Sequence, residues 1–290
     1  MILNRGNLTK RKGIVTGLPR SDWRLRLLVN ARLRVGSIRG FRRRWFVDLG
    51  DTHSHPNIYH IQVINKRLLD LRADLDQDVR RLARMTLPGS RTLMEGLVNK
   101  RQNLDRRLVS VQHLWDFFFD MFSQRKTIYE PFLRRCDGIV GECYRLIFNR
   151  LGEHYPWIKT PPLCYMEKAY SPATVRRGVR FFQRAGLMTA NPFPVIRIPY
   201  DRISTPWQLA VLVHEVSHNI HGDIPDLWQR TRIRIYKVLR KGGIPKELAR
   251  TWSFWHKETL ADLLSILFGG PAVVYSLLGL MSRPRRIVMR

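Results

Sequence analysis

The chain has 290 residues, 44% of them hydrophobic, which is enough apolar material for a sizeable core and excludes a fibrous or disordered composition. Against 23 Asp and Glu stand 51 Lys and Arg, a formal charge of +28 that attracts polyanions without saying which one. Three cysteines are too few for a disulfide framework and point to a reducing compartment.

Residues 1–58 read as an irregular basic arm. Positions 1–50 hold 13 basic and 2 acidic side chains, and RGFRRRWF at 39–46 interleaves arginine with aromatic rings, the pattern of phosphate contact with base stacking. The opening residues lack the apolar stretch of a secretory signal, so the expected location is the cytoplasm, or delivery from a reducing compartment. DTHSHPN at 51–57 contains a His-x-His pair, but its proline and small polar residues read as a loop.

From Ile61 the pattern changes. Ile61, Ile64, Leu68, Leu71, Leu75, Val79 and Leu82 recur at three-to-four spacing, one face of an amphipathic helix. LPGS at 87–90 stops it, and Ser90 can cap a second helix carrying Leu97, Leu104, Leu108, Val111, Trp115, Phe118 and Phe122. A third helix over about 129–151 places Phe132, Cys136, Ile139, Cys143 and Leu146 inward. On it Cys136 and Cys143 lie about 10 Å apart by helical rise, beyond disulfide reach.

After residue 156 the segments become short and strand-like: LCYME (163–167), GVRFFQ (178–183) and FPVIRIPY (193–200). STPWQ then signals a helix over about 206–221, with Thr205 as cap, Pro206 at the first position and Gln208 closing a capping box, so that Trp207, Leu209 and Val211 are buried. A separate helix ends at Gly242-Gly243, and a further one spans 255–272. Residues 260–281 are apolar enough to raise a membrane span. Gly269-Gly270-Pro271 divides them and Asp262 would be stranded in lipid, so two buried core helices are expected and membrane contact is not. The chain divides into a basic arm (1–58), a helical half (59–155) and a final domain (156–290), an α+β fold that is mostly helical.

VLVHEVSHNIHGD at 211–223 contains His214-Glu215-Val216-Ser217-His218. Histidines four apart point the same way on a helix and can grip one metal ion. A glutamate beside the first can hold a water without ligating. The third ligand is open. His221 lies about 10 Å along the helix from His214, farther than a zinc cage spans, and Asp223 and Asp226 follow a turn. Downstream, Glu258 and Asp262 sit one turn apart on an otherwise apolar helix, a costly placement unless something positive faces them.

HExxH followed by a Glu-x-x-Ala-Asp helix resembles the gluzincins, which include the thermolysin-like and membrane heat-shock-type zinc peptidases. The resemblance covers about residues 193–272 and leaves the helical half and the arm uncovered. It implies a zincin-like domain with a small sheet before the active helix, Zn²⁺ held by His214, His218 and Glu258, Glu215 as catalytic base, and Asp262 behind the first histidine. The edge strand that pairs with extended substrate would then be FPVIRIPY. His221, His256 and Tyr275 are candidates for the cleft or for an oxyanion donor, although His256, two residues from Glu258, faces largely away from it. The implied function is a zinc-dependent endopeptidase acting on a protein or peptide, with a polyanion or acidic protein partner reached through residues 1–50. The alternative is a basic nucleic-acid-binding or assembly-docking protein whose zincin domain is structural or inactive.

Overall fold

The computed structural model describes residues 20–48, 55–84, 91–152, 156–182 and 187–282. One helical layer comprises α1 (Arg20–Gly36), α2 (Ile58–Arg84) and α3 (Arg91–Ser123). A second contains α4 (Glu130–Leu151) and α5 (Val211–Asp223), followed by α6 (Leu227–Lys241), α7 (Lys246–Gly269) and α8 (Pro271–Met281). Between the layers lies a sheet of β1 (Leu163–Glu167), β2 (Ala173–Val175) and β5 (Val195–Pro199), while β3 (Arg180–Phe182) and β4 (Leu187–Ala190) pair apart from it. The chain is mostly helical with a small sheet, the α+β class read from the sequence.

The sheet is buried on both faces. Leu163, Tyr165 and Val195 join the core under α1–α3, whereas Cys164, Met166, Ile196 and Ile198 join the core under α4 and α5. Strand alternation thus divides one sheet between two apolar clusters. The strand order is β1-β5-β2, with β1 parallel and β2 antiparallel to β5. FPVIRIPY is therefore the central strand, with both of its edges paired, and the sheet edge beside α5 is β2. Its near-continuous apolar run is what a strand covered on both faces requires.

All seven apolar positions of the α2 stripe are buried. Residues 20–48 depart from an irregular arm: α1 packs on α2, because Leu27, Leu28, Ala31 and Val35 recur at helical spacing between the arginines. Phe41 and Phe46 are core residues, with Phe41 5.2 Å from Trp115 and Phe46 5.2 Å from Phe122 between ring centroids, so they are not free to stack on bases. Ser90 and His53 lie outside the described residues. α4 buries a face rotated from the expected one, through Leu133, Cys136, Val140, Tyr144 and Phe148, and leaves Ile139 and Leu146 exposed. The three cysteines are buried and free, and burial pushes the Cys143 thiol up to about 11.

Residues 206–210 form a 3-10 turn rather than the first turn of α5, Thr205 makes no side-chain cap, and Trp207 is exposed. The Ser276 hydroxyl of α8 donates to the Gln208 carbonyl at 2.7 Å, occupying an acceptor that a regular helix would use internally. Gly243 (φ 79°) and Gly270 (φ 59°) take left-handed conformations at the ends of α6 and α7, as the sequence anticipated for these breaks. α7 begins at Lys246, earlier than the expected 255. α7 and α8 are not simply core helices either, since Leu263, Leu267, Tyr275 and Leu278 are exposed.

The rotation of α4 follows from a buried ion pair. Arg125 Nη2 lies 2.9 Å from Asp137 Oδ2, and both side chains are almost fully buried. The same guanidinium donates to Met121 O and Cys164 O, and Asp137 Oδ1 accepts from the Cys164 N–H. One pair therefore ties the end of α3 and the face of α4 to β1. Removing one partner strands the other charge, so Asp137→Ala should cost about 3–5 kcal/mol in urea unfolding, whereas Arg125→Met with Asp137→Leu should cost distinctly less. An Asp137→Ala loss no larger than that of the double variant would contradict this role.

Candidate metal centre

α5 is bound to its surroundings on two sides. Leu212, Val213, Val216 and Ile220 enter the core shared with α4 and the sheet. Asn219 Nδ2 donates to Thr174 Oγ1 at 2.7 Å and to Glu215 O at 3.1 Å, and Thr174 Oγ1 donates to Val195 O at 3.2 Å, which fixes α5 against β2 and β5. The remaining side of the helix carries His214 and His218 and packs against α7.

His214 Nε2, His218 Nε2 and Glu258 Oε2 converge there. The nitrogens are 3.1 Å apart, and the carboxylate oxygen lies 3.6 Å from the first and 3.2 Å from the second. With bonds of about 2.0–2.1 Å, two ligands of a tetrahedral zinc ion stand about 3.3 Å apart, so the triangle has the dimensions of one face of such a site. Its donor set, two imidazoles and one carboxylate, is that of an open zinc site with a fourth position left over. Glu258 Oε1 turns away to Lys257 Nζ at 3.4 Å, leaving one oxygen for the cluster.

Asp262 Oδ1 approaches His214 Nδ1 at 2.9 Å, close in distance though without the alignment of a full hydrogen bond. A carboxylate on that nitrogen favours the Nδ1–H tautomer and leaves the Nε2 lone pair facing the cluster. Burial, and then the His214 charge, hold His218 below the usual imidazole range, partly offset by Glu258. Neutral imidazoles are the form that ligates.

Glu215 stands beside the triangle without joining it. Burial, reinforced by the Glu258 charge, pushes its carboxyl up to about 7, while the Thr174 backbone N–H and Arg197 oppose the rise. Thr174, Asn219 and Arg197 were not singled out in the sequence. Only Asn219, one turn after Glu215, carried a signal there.

The other candidates lie elsewhere. His221 and His256 are buried and meet each other, with ring centroids 5.4 Å apart, and His256 Nδ1 is 2.8 Å from Ser253 O. Burial and the neighbouring His256 hold His221 down to about 4. Asp223 is taken by Arg177 at 3.1 Å and by the Tyr144 hydroxyl at 2.9 Å, and Asp226 precedes α6 in a left-handed conformation. Tyr275 is exposed on α8, outside the cluster. His55 lies near His60, with ring centroids 5.4 Å apart, and is not part of a cluster of three ligand-type residues among those described.

Comparison with family models, with curated proteins and with solved structures finds no match. The arrangement therefore has to be judged on its own chemistry.

A zinc titration checks it. The parent chain should retain one zinc, and His214→Ala, His218→Ala or Glu258→Ala should each remove most of it, because two protein ligands hold zinc poorly. Asp262→Asn should cost a smaller factor, about 10–100 in affinity. Stoichiometric zinc in the His214→Ala/His218→Ala double variant would contradict the assignment.

Proposed function

We propose that the chain is a zinc-dependent endopeptidase of the gluzincin type. The observation that carries the proposal is the convergence of His214, His218 and Glu258 at ligand spacing, with Asp262 behind His214 and Glu215 alongside. These are the residues that the resemblance pairs with those roles. Bound zinc would supply Lewis acidity to the scissile carbonyl and to the attacking water.

The chain's own residues then have separable tasks. Asp262 orients His214 and keeps its proton on Nδ1, away from the metal side. Glu215 accepts a proton from the attacking water on a carboxylate oxygen and returns it to the leaving amine. The Thr174 N–H, reaching that carboxylate from β2, keeps it in place. β2 ends the sheet order among the described residues, and an extended substrate added there would take the edge role first expected of the FPVIRIPY strand.

The basic nucleic-acid reading has less to rest on, since Phe41 and Phe46 of its aromatic-basic segment are buried. Glu215 separates the two readings further, because a purely structural zinc site has no use for a base beside it.

Glu215→Gln should retain zinc and fold while hydrolysis of an unstructured protein or a mixed peptide library falls by about 10²–10⁴-fold or more. Equal cleavage by parent and variant would refute the role of Glu215. A zinc-loaded parent that cleaves no member of such a library would refute the peptidase reading itself.

A further inference from the structure

Beyond the metal cluster, α7 carries a second feature, an exposed apolar strip that runs alongside Glu258 and Asp262. Leu248, Trp252 and Trp255, and after the polar Thr259 Leu263 and Ile266, fall on one side of the helix, and all five are exposed. Leu263 is 61% and Leu267 74% exposed. The adjoining α8 extends the surface, with Tyr275 75%, Leu278 57% and Met281 70% exposed on a helix that has no charged residue. A folded chain rarely leaves so continuous an apolar strip in water unless something covers it.

The neighbouring helix indicates what that is. α6 carries Arg230, Arg232, Arg234, Lys237, Arg240 and Lys241 with no acidic residue. Arg232 is clamped over the Phe254 ring at 3.8 Å, which joins the basic helix to α7. Between them opens a cavity of about 280 Å³, lined by Ile235 and Leu239 of α6 and by Trp252, Leu260 and Leu263 of α7. A second copy of the chain would oppose one +28 body with another. A nucleic acid would answer the charge but leave the aliphatic strip in water. An anionic bilayer satisfies both features, with headgroups against α6, aliphatic side chains below the headgroup level and tryptophans at the boundary.

We propose that the α6–α7–α8 face docks on the surface of membranes containing anionic lipid. The contact is interfacial, since no helix among the described residues is long and apolar enough to cross a membrane. It differs from the sequence expectation of no membrane contact, which rested on the argument against a span. Because Glu258 and Asp262 lie on the same helix as the strip, docking would hold the metal cluster beside the bilayer. The proposal does not depend on the cluster's activity.

Sedimentation with lipid vesicles tests it on the full chain, comparing phosphatidylcholine alone with phosphatidylcholine mixed with phosphatidylglycerol. The parent should bind the mixed vesicles and bind the neutral ones weakly. Leu263→Gln/Leu267→Gln/Leu278→Gln, all at exposed positions, should weaken binding about 100-fold at unchanged charge. Arg230→Gln/Arg234→Gln/Lys237→Gln should weaken it and flatten its salt dependence. Brominated lipid should quench parent tryptophan emission, less so in Trp252→Phe/Trp255→Phe. Undiminished binding by the leucine variant would reduce the effect to adsorption of a polycation and overturn the proposal. So would a lack of quenching in the parent, however the variants fold. Self-association, or oligonucleotide binding, that the leucine changes abolish while vesicle binding persists would assign the face to a second copy or to nucleic acid instead.

Discussion

The arrangement of the site depends on α5 being packed on two sides that demand opposite chemistry. One side of this helix must be apolar, because it closes the core between the sheet and α4 through Leu212, Val216 and Ile220. The other side faces α7 and carries imidazoles, which cost free energy when buried unless something accepts them. α7 answers with Glu258 and Asp262 one turn apart, one carboxylate on the shared Nε2 pair and one on Nδ1 of His214. Two mostly buried histidines on a core helix are expensive alone, and the half-exposed Glu258 and Asp262 of α7 supply their acceptors. Packed together, they offset each other and leave one acceptor position in common.

The sheet sets the second condition. With both faces buried, β1 and β5 fix the distance between two cores, and Arg125–Asp137 locks α3 and α4 to β1 across the boundary. β2, the strand at the edge, is where α5 is attached through Thr174 and Asn219. Glu215 is therefore held from the sheet and the histidines from the helix interface, so the carboxyl and the imidazoles are positioned by different parts of the fold.

Legibility from sequence followed the strength of local periodicity. The α2 stripe could be read residue by residue because it is long and its polar face is unambiguous. His214, His218, Glu258 and Asp262 could be placed because one-turn spacing fixes a shared side on each helix, and the resemblance joined the two helices. What failed was decided by partners distant in sequence. α1 was hidden because its five arginines interrupt the apolar residues, and only packing on α2 shows which of them are buried. Phe41 and Phe46 read as a basic-aromatic surface because nothing local reveals Trp115 and Phe122 opposite. The face of α4 turned on Asp137 meeting Arg125, and the central position of β5 on pairing at both edges. Residues 206–210 tightened because Ser276 takes a carbonyl. The exposed strip on α7 and α8 was read as core for the ordinary reason that apolar helices usually are.

The occupant of the triangle's centre separates a bound zinc ion from a proton shared among the three polar atoms. X-ray absorption at the zinc edge on the purified chain measures it directly. The expected result is two nitrogen scatterers with imidazole signatures at about 2.0–2.1 Å and oxygen at about 2.0–2.2 Å, with the imidazole contribution lost in His214→Ala/His218→Ala. A spectrum dominated by sulfur, or by water alone, or one unchanged in that double variant, would contradict it.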